Sequence, residues 1–148
     1  MTDWHLAQLN IALLSAPIDS PQLATFVAEL DRINALAEAA PGFVWRLAGD
    51  EGNALGIRTF GDEYIVNMSV WTDRERLFDY VYRSAHKDIM RRKRDWFTSM
   101  KSAHQVLWWV PAGHQPDPEE AAARLELLRR EGPGPAAFTF KRFFDAPD

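Results

Sequence analysis

The sequence predicts an α+β fold: a ferredoxin-like βαββαβ core with an added C-terminal helix and strand, in a single domain covering residues 1–148. Three observations lead there. Segments of period-2 and period-3.6 hydrophobicity follow one another as β-α-β-β-α-β and then α-β. Glycine and proline breakers fall at the junctions. The strands also carry apolar residues on both parities, so both faces of the sheet need cover. In this arrangement the helices cover one face. A second copy pairing sheet to sheet is the simplest cover for the other, which predicts an isologous homodimer of the dimeric α/β-barrel type.

The elements follow in order. Trp4 to Leu14 alternates, with Leu9, Ile11 and Leu13 on one side and Gln8, Asn10 and Ala12 on the other. Ser20-Pro21 is a cap followed by a first-turn proline. Leu23, Phe26, Val27, Leu30, Ile33 and Ala37 then step by three and four as an amphipathic helix, ended by Pro41-Gly42. Phe43 to Leu47 reads as a short strand with Trp45 on the Phe43 side. Tyr64 to Trp71 is the clearest strand, with Ile65, Asn67, Ser69 and Trp71 on one face and Tyr64, Val66, Met68 and Val70 on the other. Thr72 or Asp73 caps a helical stretch running to about Met100, whose stripe is Phe78, Tyr82, Ala85, Ile89, Trp96 and Met100 with His86 at its border. Gln105 to Val110 is a strand. Pro118 to Arg130 is a helix with acidic residues early and arginines late, matching the macrodipole. Phe138 to Phe144 can form a last edge strand. Leu9, Ile11, Val66, Met68, Val70, Leu107 and Trp109 are assigned to the face awaiting a partner.

Composition bounds the function. The chain is 47% hydrophobic, too apolar for disorder, and no apolar run is long enough for a membrane span. It has no cysteine, hence no disulfide, thiolate metal site or thiol nucleophile. The N-terminus lacks a positive segment ahead of an apolar stretch, so no signal peptide and a cytoplasmic location are expected. A net charge of −4 argues against broad nucleic-acid binding. The Asp73–Lys101 segment is nevertheless basic, and Arg91-Arg92-Lys93-Arg94 reads as a solvated helix face or a contact for an acidic partner.

Nucleotide loops, nucleophile elbows and zinc-protease motifs are all missing from the sequence, and the four histidines lack chelate spacing. What stands out is polar residues where a core prefers hydrocarbon. His86, between Tyr82 and Met90 on the helix border, is either a half-buried imidazole bonded to a carbonyl or a metal ligand or base in an aromatic pocket. Asn10 and Asn67 lie within strands, where asparagine is depleted. Facing the helices, they and Ser69 would project into one space and need either a local network or a ligand. The tryptophans, six in all, suit a core but also an aromatic cleft.

Several stretches resemble the dimeric α/β-barrel superfamily, and within it a bacterial family of unknown function. They are Leu6-Ala7-Gln8-Leu9-Asn10-Ile11-Ala12, Pro41-Gly42-Phe43-Val44-Trp45-Arg46, Val66-Asn67-Met68-Ser69-Val70-Trp71, Tyr82-Arg83-Ser84-Ala85-His86 and Trp108-Trp109-Val110-Pro111-Ala112-Gly113-His114. A looser similarity extends to the antibiotic-biosynthesis and heme-degrading monooxygenases. The resemblance implies sheet-to-sheet dimers that hold ligands between sheet and helices. In the heme-degrading branch, positions matching Asn10 and His86 serve the heme, but its helix tryptophan is replaced here by Tyr80 or Val81. In the cofactor-free branch, positions matching Asn67 and Trp71 steer a phenolic substrate. The resemblance therefore implies a small-molecule, oxygen-dependent, monooxygenase-like enzyme. Its catalytic set is His86, Asn10, Asn67 and Trp71, with His86, Tyr82, Trp45 and Met90 around a cofactor. Heme and no cofactor are both left open. The alternative is a non-catalytic dimer that binds heme or a small apolar or aromatic ligand.

Overall fold

The computed structural model describes residues 3–48, 59–83, 91, 96–100 and 102–147. Strand β1 (Trp4–Leu14) is the spine of a five-stranded antiparallel sheet. On one side it pairs with β3 (Tyr64–Trp71), from Leu6↔Trp71 to Leu13↔Tyr64, and β3 carries the edge strand β2 (Phe43–Arg46). On the other side it pairs first with β5 (Gln105–Pro111) and then, at Leu13 and Leu14, with the two-residue β4 (Phe97–Thr98). The β2-β3-β1-β5 order is the ferredoxin-like arrangement expected from the sequence.

Helices α1 (Ala24–Ala39), preceded by a 3₁₀ turn at Pro21–Leu23, and α2 (Arg74–Arg83) serve one face of the sheet. Ser20 has extended backbone ahead of Pro21, yet its hydroxyl caps nothing. Asp73 does cap, its Oδ1 accepting from the Arg76 amide at 2.9 Å. At the end of α1 the chain turns through Gly42 (φ +85°), whose carbonyl accepts from the Thr72 amide at 2.8 Å. A Cβ there would collide with Arg76, so only glycine fits.

The helical stretch expected from Thr72 to Met100 is interrupted. By Phe97 the chain is extended and hydrogen-bonded to β1. The buried stripe of α2 also differs from the expected one: Leu77 and Tyr80 point inward, whereas Phe78 and Tyr82 turn outward to meet Phe140 from the C-terminal segment.

The largest departure concerns the second face. Helix α3 (Pro118–Glu131) crosses it, so Ala121, Leu125 and Leu128 pack with Ala7, Leu9, Ile11, Val66, Met68, Val70, Val106, Trp108 and Val110. All of these are buried within one chain, so a second copy is not needed to cover them. Leu107 and Trp109 do not belong to that set. The register Leu6↔Trp109 and Gln8↔Leu107 turns them to the α1/α2 side, with Leu6, Trp71 and Phe138. The expected last strand, Phe138 to Phe144, shrinks to a bridge between Phe138 and Leu107, after which Phe143 and Phe144 fold around Trp109. The result is three layers, with two helices, the sheet and one helix stacked in that order.

Candidate functional site

Alternation along β1 and β3 sends Gln8, Asn10, Asn67, Ser69 and Trp71 toward α1 and α2, and the register sets Gln8 opposite Ser69 and Asn10 opposite Asn67. Directly opposed and diagonal side chains on one face come within reach of each other. Here they do so through hydrogen bonds. Gln8 Nε2 donates to Asn67 Oδ1 at 2.6 Å and to Ser69 Oγ at 2.8 Å, using both amide hydrogens. Trp71 Nε1 donates to the same Ser69 oxygen at 2.8 Å. Gln8 and Ser69 are each 6% exposed and Trp71 is fully buried, whereas Asn67 is exposed although β3 lies between two other strands. The network therefore begins in the core and ends at an opening. Asn10 stands half-buried beside Asn67, and its amide makes no side-chain bond among the described residues.

The indole of Trp71 is held from two directions. Tyr80 stacks on it with ring centroids 5.0 Å apart and planes 27° apart, and Phe43 meets it edge-on at 5.6 Å. The Tyr80 hydroxyl donates to the Ile33 carbonyl at 3.2 Å, tying α2 to α1 above the indole. Burial pushes the Tyr80 phenol well above its ordinary range, so it stays protonated at neutral pH. Gln8, Asn67, Ser69 and Trp71 do not ionise there either. This arrangement orients and hydrogen-bonds; its own groups do not take up protons.

The expected site residues divide. Asn67 and Trp71 share the network, with Asn10 beside it. Trp45 does not face it, because a register irregularity between Phe43 and Trp45 turns its ring to the α3 side, against the cluster of Met68 and Val70. Tyr82 is 45% exposed on the outer face of α2, with its ring 4.6 Å from Phe78. His86 and Met90 lie outside the described residues, as do Arg92, Lys93 and Arg94 of the basic cluster. Gln8, the residue that joins the others, is not among the site residues the sequence predicts, although it lies on the Asn10 side of its strand. Its place on that side, in the strand that becomes the centre of the sheet, was the available signal. The network supplies amide, hydroxyl and indole groups, none of which ligates heme iron, and His86, the residue expected to do so, lies outside the described residues.

A second polar cluster sits on the opposite side. The buried Trp108 donates its indole N–H to Glu120 Oε2 at 2.9 Å, and His114 Nε2 lies 2.6 Å from Glu120 Oε1. Glu120 stands in the first turn of α3, whose Asp117 cap accepts from the Glu120 amide at 2.7 Å. The helix dipole and the cap account for that carboxylate. No group of three or more metal-binding side chains occurs among the described residues, and none of their helices is long and apolar enough to cross a membrane.

No curated protein matches the chain in sequence. Solved structures are similar to it at low identity. A protein of unknown function from Nitrosomonas europaea is 15% identical, with a TM-score of 0.50 over 80% of this chain and 98% of that one. A cofactor-independent oxygenase from Streptomyces nogalater is 20% identical, with a TM-score of 0.44 over 78% of this chain and 98% of that one. A family model matches residues 5–148, and the chain belongs to the family described as a domain of unknown function, DUF3291.

Proposed function

We propose that the protein is a small-molecule enzyme that promotes oxygen-dependent oxidation of an aromatic, weakly acidic substrate held between the sheet and helices α1 and α2. The observation that carries this reading is the network running from the buried Trp71 and Ser69 through Gln8 to the exposed Asn67 amide. Buried polar groups cost stability unless satisfied, and this core would be simpler without them. Their arrangement makes sense for orienting an oxygen atom of a ligand at the Asn67 end, with Phe43, Trp71 and Tyr80 packed on one another as a rigid aromatic support behind the network.

With anthrone as a probe substrate, the reaction turns its methylene carbon into a ketone. One molecule of oxygen is consumed: one of its atoms enters the ketone, and the other leaves as water with both methylene hydrogens. The electrons come from the substrate. The chain's own contribution is positioning, with Asn67 and Asn10 at the opening.

Oxygen uptake with anthrone as probe tests this. The wild-type protein should accelerate uptake, and Asn67→Ala should lower the rate by about 100-fold, the usual worth of one positioned donor. Uptake no faster than in buffer overturns the enzymatic reading. One observation favours a second reading, a binding protein without catalysis: every group of the network is non-ionisable at neutral pH. Anthrone that binds but is not oxidised would establish that alternative.

A further inference from the structure

We propose that Gln8 and Trp71 lock the Ser69 hydroxyl as a hydrogen-bond donor, so that the site selects the ionised oxygen of its ligand over the neutral hydroxyl. The inference rests on the ligand site proposed above and specifies which form of ligand it takes. It follows from counting hydrogens and lone pairs. An indole nitrogen can only donate, so the contact of 2.8 Å from Trp71 Nε1 occupies one lone pair of Ser69 Oγ. The Gln8 amide nitrogen occupies the other, also at 2.8 Å. Ser69 makes no further side-chain hydrogen bond among the described residues, so its single proton is directed to whatever else enters the space.

Asn67 is polarised in the same sense. Its Oδ1 is engaged by the second Gln8 hydrogen at 2.6 Å, which leaves the amide NH₂ for the opening. The network thus offers a ligand three hydrogens, one from Ser69 and two from Asn67, against one acceptor, Gln8 Oε1. A phenolate, enolate or carboxylate oxygen gains from such an array, because hydrogen bonds to a charged acceptor are about twice as strong as neutral ones. A neutral hydroxyl needs an acceptor for its own proton and finds fewer. With the Gln8 amide turned over, its oxygen would accept from Ser69 and Asn67, so the Ser69 proton would be spent inside the network and the lock on that hydroxyl as a donor to a ligand would be lost.

The experiment uses 4-nitrophenol, whose ionised and neutral forms differ in colour, bound to the full-length protein and titrated with acid and base. The expected result is a bound probe whose apparent pKa lies about one unit below that of the free probe, equivalent to about tenfold tighter binding of the phenolate. Ser69→Ala should abolish the shift, and Ser69→Thr, which keeps the hydroxyl, should retain it. Trp71→Phe frees one lone pair of Ser69 and should reduce the shift, which keeps the test available if Ser69→Ala does not fold. A probe bound in its neutral form, or a shift that survives both Ser69→Ala and Trp71→Phe, overturns the inference while leaving the ligand site standing. A wild-type protein that does not bind the probe at all removes both.

Discussion

The two faces of the sheet are built from the same strands yet solve different problems. On the α3 side, Leu9, Ile11, Val66, Met68, Val70, Val106 and Trp108 form an apolar layer closed by Ala121, Leu125 and Leu128. On the α1/α2 side, alternate residues of those strands give Gln8, Asn67, Ser69 and Trp71, joined by side-chain hydrogen bonds. Each face has a fully buried strand tryptophan that donates its indole hydrogen to a side chain. Trp108 gives it to Glu120 at the start of a helix, whereas Trp71 gives it to Ser69 inside the sheet. The first pairing anchors an element, while the second sets the polarity of a hydroxyl. Period-2 alternation thus places an apolar layer and a polar network on one sheet without either using the other's residues.

The largest effects should come from the apolar face. Met68→Ala removes a side chain only 2% exposed, and unfolding in urea should show a loss of about 2–5 kcal/mol. The ionised-form preference of bound 4-nitrophenol should be unchanged in the surviving folded protein. Loss of that preference together with stability would show that the faces are coupled and would break the comparison.

Tyr80 comes next, on the ligand face. Burial raises its pKa in the folded state, while the unfolded chain ionises near the ordinary value of about 10. Below that pH both states hold the proton and the contribution is fully present. As pH rises further, the unfolded state alone releases it, so stability should fall by up to about 1.4 kcal/mol per pH unit. Tyr80→Phe should remove that part of the alkaline slope and cost about 1 kcal/mol at neutral pH, through the lost bond to Ile33. Urea unfolding of both proteins across alkaline pH measures it, and an identical slope would show that Tyr80 is not the group responsible.

A third variant separates stability from binding on the ligand face itself. Gln8→Leu with Asn67→Leu replaces both partners of one hydrogen bond, also removes the Gln8–Ser69 bond, and leaves Ser69 satisfied by Trp71. Replacing both partners by apolar groups is nearly neutral, so stability should stay within about 1 kcal/mol of wild type. Binding of 4-nitrophenol should be lost. A severe loss of stability would mean that the network serves the core rather than a ligand.

These contrasts were partly legible in the sequence. The alternation of β1 and β3 is long and strict, so Asn10, Asn67, Ser69 and Trp71 could be assigned to one face. β5 could not be resolved in the same way. Its apolar residues run consecutively from Val106 to Val110, and only the register with β1 decides which of them face which way. Trp45 was misplaced by an irregularity that local periodicity does not reveal. In α2 the pair Phe78 and Tyr82 looked like the buried stripe, because their partner Phe140 lies 58 residues or more further along the chain. The placement of α3 on the second face was equally hidden: its caps and charges specify a helix but not the layer it joins.

The smallest expected effect sharpens the comparison at the level of single helices. α3 carries its own start signals, with Asp117 extended at the cap, Pro118 next and the Glu120 amide bonded to the Asp117 carboxylate. Asp117→Ala should therefore cost about 1 kcal/mol. The start of α1 looks similar in sequence, with Ser20 before Pro21, but the Ser20 hydroxyl has no hydrogen-bond partner among the described residues. What fixes that end is burial of Leu23 and Phe26 in a cluster with Ile33 and Trp96, the last of which arrives from beyond α2. Ser20→Ala should change stability by less than about 0.5 kcal/mol, and removing an unsatisfied buried hydroxyl can even be favourable. Paired urea curves for the two variants test the difference. Equal losses would mean that α1 depends on its own cap as α3 does, and that the helices over the polar network are not held chiefly by tertiary contacts.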